Sequence, residues 1–425
     1  MRRPRPLGIR PTALLALCLA SALPACGDDT APAQPGELVR SSHERLAVST
    51  DLTEARTLAV NDADFGLALM RTAQPTGDFF CSPHSISVAL AMTYAGAAGA
   101  TADEMRTTMR FHQEPAVLHQ AFNTLDQALS SRGEGAMGVE GTPFRLRISN
   151  SLFADRTFTF RATYLDLIAE HYGAGVTVLD FARDPDGSRV AINLWVAHQT
   201  EDRIPELLPM GSIDPSTVLV LTNAVYFNAA WDDAFAEAST RDGAFHLADG
   251  TTATVPLMRG EVGTTFASGT GWRAAEIPFE GADVSMLLIV PDDLAAFEVG
   301  LDGARYAEIA AALHADDVMV TMPRFEMRTE LSLRDALSDM GMAGAFQSAD
   351  LSAMTPEMGL FISDVVHEAW IRVNEKGAEA AAATAVIVGR VSVPDEVVAD
   401  RPFLFVVRDR ATGAVVFLGR VTDPR

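Results

Sequence analysis

The sequence predicts an α+β fold. Helical periodicity dominates the earlier part of the chain and strand patterns the later part. Neither an internal repeat nor a regular strand–helix alternation runs through it, which disfavours a parallel βαβ sheet. With 48% hydrophobic residues among 425, a large packed core is expected rather than disorder. The net charge of −23 argues against nucleic acid or an anionic membrane surface as a partner.

Taken in order, Leu58, Phe65, Leu69 and Met70 recur at helical spacing after about residue 52. A break at Pro75 and Gly77 precedes the run FFCSPHSISVALAMTYAGAAG, in which Ser82 caps a helix and Pro83 occupies its first turn. Thr101 with Glu104 reads as a capping box, and 131–141 is a Gly-rich loop. A strand is predicted over 146–153, then helices over 163–172 and 189–200. Strands follow at 217–227, 244–257, 273–279 and 284–290, bounded by turn residues such as Glu280-Gly281 and Pro291-Asp292. A helix over 301–314, a strand over 318–325, a helix over 331–340 and a strand over 365–373 complete this part. The chain closes on two strands joined at Ala411-Thr412-Gly413. No domain boundary is visible after residue 52.

The amino terminus reads as an export signal over residues 1–25. Arg2, Arg3, Arg5 and Arg10 precede a short apolar run, 13–22, too brief for a confident membrane span. The run ends in Leu23-Pro24-Ala25-Cys26, which resembles the bacterial lipobox, whose cysteine carries lipid. Residues 26–52 would then be a flexible polar tether, and the folded domain would span 53–425. The expected location is the bacterial cell envelope, held there by lipid, or the extracellular space. Cys81 would be the lone remaining thiol, lying in an apolar run and expected to be buried rather than reactive.

Catalytic motifs are lacking. The sequence GxGxxG at 133–138 lies in a polar loop with no strand before it, so it cannot aim amide groups at a pyrophosphate. There is no GxSxG elbow, P-loop, HExxH or CxxC. Asp184, Asp186 and Gly187 hint at a calcium turn, but a full ligand loop is missing. No cofactor or metal is implied.

One stretch, 374–392, contradicts itself. Residues 380–383 are alanines with the highest helix propensity, whereas 384–388 (TAVIV) favour a strand. The chain's only lysine, Lys376, sits at its start. A segment that can change structure at small cost suits a conformational switch; the plainer alternative is a surface helix leading into a buried strand.

Several stretches together resemble the serpin family of protease inhibitors across nearly all of 53–425. They are NAVYFNAAWDDAF at 223–235, the helix-forming run 80–95, the turn Asp249-Gly250 within 245–258, the strands over 277–291, VNEKGAEAAAAT at 373–384 and RPFLF at 401–405. The resemblance implies helices packed on three β-sheets with an exposed reactive-centre loop. It implies an irreversible, single-use inhibitor of serine proteases that inserts its cleaved loop into the central sheet, and not an enzyme. Glu375, Gly377, Ala378, Glu379, Ala380, Ala381, Ala382, Ala383 and Thr384 would be the hinge. Ala378 departs from the Thr or Ser found in many inhibitory members, yet remains small and uncharged. Val391-Ser392 would be the scissile bond, favouring an elastase- or subtilisin-like target. Cleavage after Arg390 would instead suit a trypsin-like one. Ser82, Ser85, Asn223 and His367 match the family's shutter, Trp231 its breach tryptophan, and Arg324 with Glu375 a breach ion pair. A monomer is expected. The alternative is a non-inhibitory binding or storage protein on the same fold.

Overall fold

The computed structural model describes residues 36–378 and 394–425. Its centre is a seven-stranded sheet, whose strands are numbered here in chain order: β1 Glu37–Val39, β2 Arg145–Asp155, β3 Val176–Leu179, β4 Leu219–Ala230, β5 Phe325–Ser332, β6 Asp364–Asn374 and β7 Gly377–Ala378. Their spatial order is β1-β3-β2-β4-β7-β6-β5. Neighbours β4 and β6 run parallel, with Asp364 through Ala369 opposite Val220 through Val225. Above that point the two strands part, and β7 enters antiparallel to both. Gly377 and Ala378 face Ala230 and Ala229 on one side and Asn374 and Val373 on the other.

The remaining strands form a nine-stranded network. Two of the three expected sheets are joined in it because one long strand, Thr252–Gly269, serves both. Its residues 252–257 pair with Arg241–His246, 257–266 with His314–Pro323, and 265–269 with Trp272–Pro278. The carboxy-terminal hairpin, Phe403–Asp409 and Val415–Val421, lies at the other side of this network beside Val284–Pro291.

Sequence alternation decides which sheet face meets which layer. The inner face of the central sheet packs on helix Pro83–Tyr94, all twelve residues of which are buried, as expected of a helix apolar on every side. The outer face carries Phe153, Val220, Ala224 and Val366 against Ile192 and Val196 of helix Pro185–Gln199 and Ile204, Leu207 and Leu208 of the segment after it. Asp184, part of the apparent calcium turn, caps that helix by accepting the Gly187 amide at 3.0 Å.

The structure departs from the sequence expectations in several places, among them the strand Phe325–Ser332, which takes the start of the helix expected over 331–340. The Thr101–Glu104 box does not form, because tertiary partners take both side chains. Thr101 accepts the Asp350 amide and Glu104 the Gly344 amide, each at 2.9 Å. The expected tether is laid along the domain over its described part. Glu37–Val39 add an antiparallel edge to β3, and Arg45 binds Asp126 at 2.7 Å and Asn123 at 2.9 Å. A helix, Pro115–Ser130, stands where none was read, although Leu118, Phe122, Leu125 and Leu129 carry its buried stripe.

Candidate functional site

The site is the seam between β4 and β6, the one place where the central sheet pairs parallel strands in its middle and then splits. Its lower part is closed. His367 of β6 and Asn223 of β4 sit on facing positions, and the His367 Nδ1–H donates to Asn223 Oδ1. His367 Nε2 accepts the backbone N–H of Ser82 at 3.1 Å, which fixes the neutral tautomer with hydrogen on Nδ1. Both residues are fully buried. Burial lowers the His367 pKa to about 3, so the ring is uncharged at neutral pH.

Ser82 ties the seam to the helix below it. As expected it is the N-cap, with Pro83 following and the Ser85 amide donating to its hydroxyl at 3.4 Å. Ser85 Oγ in turn donates to Asn150 Oδ1 of β2 at 3.0 Å. The four shutter residues read from the sequence thus meet in one buried network, and Asn150 is the member the sequence did not reveal. Asn150 stands opposite Asn223 across the β2–β4 pair, which carries no motif of its own.

The upper part is open and differently built. Pairing between β4 and β6 stops at Val225 and Ala369. It leaves Tyr226, Phe227 and Asn228 facing Trp370, Ile371 and Arg372 until β7 fills the space between the strands. Gly377 has φ +148°, and a Cβ there would lie 2.2 Å from the Ala229 carbonyl oxygen. Glycine is required for close approach as much as for conformational freedom. Ala378 is 1% exposed between its two neighbours, so a larger side chain has no room.

Polar contacts hold the residues before β7 in place. Trp231 stacks on Phe279 with centroids 4.5 Å apart, and its indole N–H donates to the Asn374 carbonyl at 2.8 Å. The Trp231 amide donates to the Lys376 carbonyl at 3.0 Å, and the Phe235 amide to that of Glu375 at 2.8 Å. Arg324 Nε reaches both oxygens of Glu375 at 2.8 Å. Thr240, unread in the sequence, donates its hydroxyl to the same carboxylate. Burial alone would raise the Glu375 pKa; the Arg324 and Thr240 hydrogen bonds outweigh it and hold the carboxyl below its ordinary value. Lys376 pairs with Glu237 at 3.2 Å.

Trp231, Arg324, Glu375, Gly377 and Ala378 therefore gather at the top of the seam. Glu379, Ala380, Ala381, Ala382, Ala383, Thr384, Arg390, Val391, Ser392 and Cys26 lie outside the described residues. Cys81 is fully buried and its thiol pKa is raised by burial.

A family model described as Serpin (serine protease inhibitor) matches residues 61–424. A leukocyte elastase inhibitor of Bos taurus is 37% identical over 364 residues, covering 82% of this chain and 94% of the relative. That of Homo sapiens is 35% identical over 376 residues, covering 85% and 97%. The solved structure of a thermophilic serpin, tengpin, in the native state superposes with a TM-score of 0.79 at 25% identity, covering 91% of this chain and all of that one. The chain belongs to the serpin family of serine protease inhibitors, and it is not an enzyme.

Proposed function

We propose that this protein inhibits serine proteases irreversibly, by inserting its cleaved loop between β4 and β6. The observation that carries the reading is the two-residue strand β7, already wedged into the split above a closed seam. Continuing its antiparallel register would bring Ala380, Ala382 and Thr384 inward and Glu379 outward. The small residues would come first, where the strands must part.

In the chemical step the protease serine Oγ attacks the Val391 carbonyl carbon. The Val391–Ser392 C–N bond breaks, Ser392 leaves as an amine carrying a proton, and Val391 becomes an ester on the protease. Insertion then outpaces hydrolysis of that ester. A small apolar Val391 suits an elastase- or subtilisin-like pocket, in keeping with relatives named as elastase inhibitors; Arg390 is the position a trypsin-like protease would use. Export and lipidation at Cys26 complete the reading, with the inhibitor acting as a monomer at the cell envelope.

Incubation with elastase, subtilisin, chymotrypsin and trypsin, followed by denaturing gels, tests it. A complex that survives SDS is expected, with a released peptide beginning at Ser392. Cleavage of every molecule without complex would instead support a non-inhibitory role. A Cys26→Ser protein should lose membrane partition; if it still partitions, the lipidation reading is wrong.

A further inference from the structure

Strand register fixes the end of the seam at which the chain coming from Cys26 joins the central sheet. Glu37 of β1 pairs with Val178 of β3. The next residue, Leu179, pairs with Asp155 of β2, and Ala154 pairs with Leu219 at the foot of β4. Gly36 therefore enters at the lower end of the seam, the pole opposite β7. Ten peptide steps separate it from Cys26. A flexible chain of that length spans about 17 Å on average and about 35 Å at full extension. Strand β4 alone is about 40 Å long, so an acyl group on Cys26 would stay near the lower pole and away from the upper one.

The same register locates where insertion would end. Asp364 lies opposite Val220 in the closed seam, and Asn374 is level with Ala230 across Gly377. The offset is the same at both levels, so β4 and β6 need only part, without sliding, for the loop to continue below β7. Carried on residue by residue from Ala378, Val391 would come to rest between Ser216 and Leu360, about 43 Å lower. That point is four strand spacings from β1, or about 19 Å. Met210 and Met358, both almost fully exposed, stand in the segments that lead into β4 and β6.

We infer that the lower pole, with Met210 and Met358, is the membrane-facing surface of the anchored protein, and that insertion carries the acylated protease from the outward pole onto the bilayer. The inference rests on the lipidation and insertion readings above. Its partner is a zwitterionic lipid surface: the net charge of −23 repels anionic lipid, so the tether and apolar side chains make the contact. The uncleaved loop then points away from the membrane, within reach of a soluble protease, and the trapped protease ends beside the lipid.

The acylated full chain in phosphatidylcholine vesicles with a headgroup acceptor dye tests both halves. Cys81 is buried and Cys26 would be acylated, so one introduced thiol takes a donor label. Energy transfer to lipid should be at least twofold stronger from labelled Met358→Cys than from labelled Asp233→Cys at the upper pole. A spacer of thirty Gly and Ser residues after Pro35 doubles the average reach to about 35 Å and should erode that contrast. Transfer from donor-labelled elastase should rise on forming the SDS-stable complex, compared with bound elastase whose nucleophilic serine is replaced by alanine. Equal transfer from the two labelled positions in vesicle-bound protein would overturn the orientation. A covalent complex with no rise in transfer would overturn the delivery. Failure of the acylated chain to bind vesicles would sink the lipidation reading and the inference with it. Absence of any covalent complex would sink the insertion reading and the delivery, while the contrast between the two labelled positions would still uphold the orientation.

Discussion

The lower and upper parts of the seam join the same two strands by different means. Below, β4 and β6 are bonded directly, and the polar groups between them are neutral, buried and linked to the helix beneath. Above, the strands are parted by β7 and held by charged groups near solvent. The Arg324 side chain is 46% exposed, whereas its partner Glu375 is 4% exposed. A buried neutral network loses the full desolvation penalty when one member is removed. An ion pair with one exposed partner loses much less, because water takes over. The seam is therefore locked firmly at the bottom and lightly at the top, so opening is expected to start at the top.

Substitutions can sharpen or break this contrast. His367→Ala strands the Ser82 amide and the Asn223 side chain in a dry interior. It should destabilise the closed form by about 3 kcal/mol, summed over two lost buried partners, measured by urea unfolding. A loss below about 1 kcal/mol would remove the distinction between the two halves. At the top, Gly377→Ala sets a Cβ against the Ala229 carbonyl. We expect about 2 kcal/mol against the wedged state, visible as faster exchange at the Ala229 and Ala378 amides and as more cleavage per complex formed.

The pH response belongs to the bottom. His367 is held neutral with its pKa near 3, against about 6.5 in an unfolded chain. Above pH 6.5 its contribution is fully present. Between 6.5 and 3 the unfolded chain takes up a proton that the native ring refuses, so stability falls with a limiting slope of about 1.4 kcal/mol per pH unit. His119, lowered to about 4 by burial and by His171, acts in the same window. The difference between wild type and His367→Gln isolates the seam, and equal slopes in the two would contradict the assignment. The smallest effect is expected from Glu375→Gln, which keeps a side chain of the same shape but weakens the Arg324 pair. Its cost should be about 1 kcal/mol, discounted for the exposure of the arginine, and should vanish as salt rises if the pair is as solvent-facing as its geometry indicates.

The sequence disclosed these two regions unequally. Ser82-Pro83 announced a helix start because a cap and a first-turn proline are local signals, and strand patterns over 217–227 and 365–373 announced the two strands observed at Leu219–Ala230 and Asp364–Asn374. Gly377 was legible as a hinge residue through the family resemblance; its role in close approach became visible only with Ala229 beside it. Asn150 and Thr240 could not be read, since each is one polar residue in an unremarkable context whose partner lies far along the chain. The Thr101–Glu104 pair misled for the converse reason: a correct local pattern lost to two distant amides. The segment before residue 52 looked like a tether because its composition is polar, while its anchoring depends on Arg45 finding Asp126.

The central claim is that the split seam is a vacancy for the chain's own loop. Melting temperatures of the intact protein and of the same protein nicked by elastase at Val391-Ser392 test it most directly. On the proposed mechanism insertion would complete the sheet by filling the interval between β4 and β6, so the nicked protein should melt far above the intact one. Equal melting, or a lower value for the nicked form, would contradict the account.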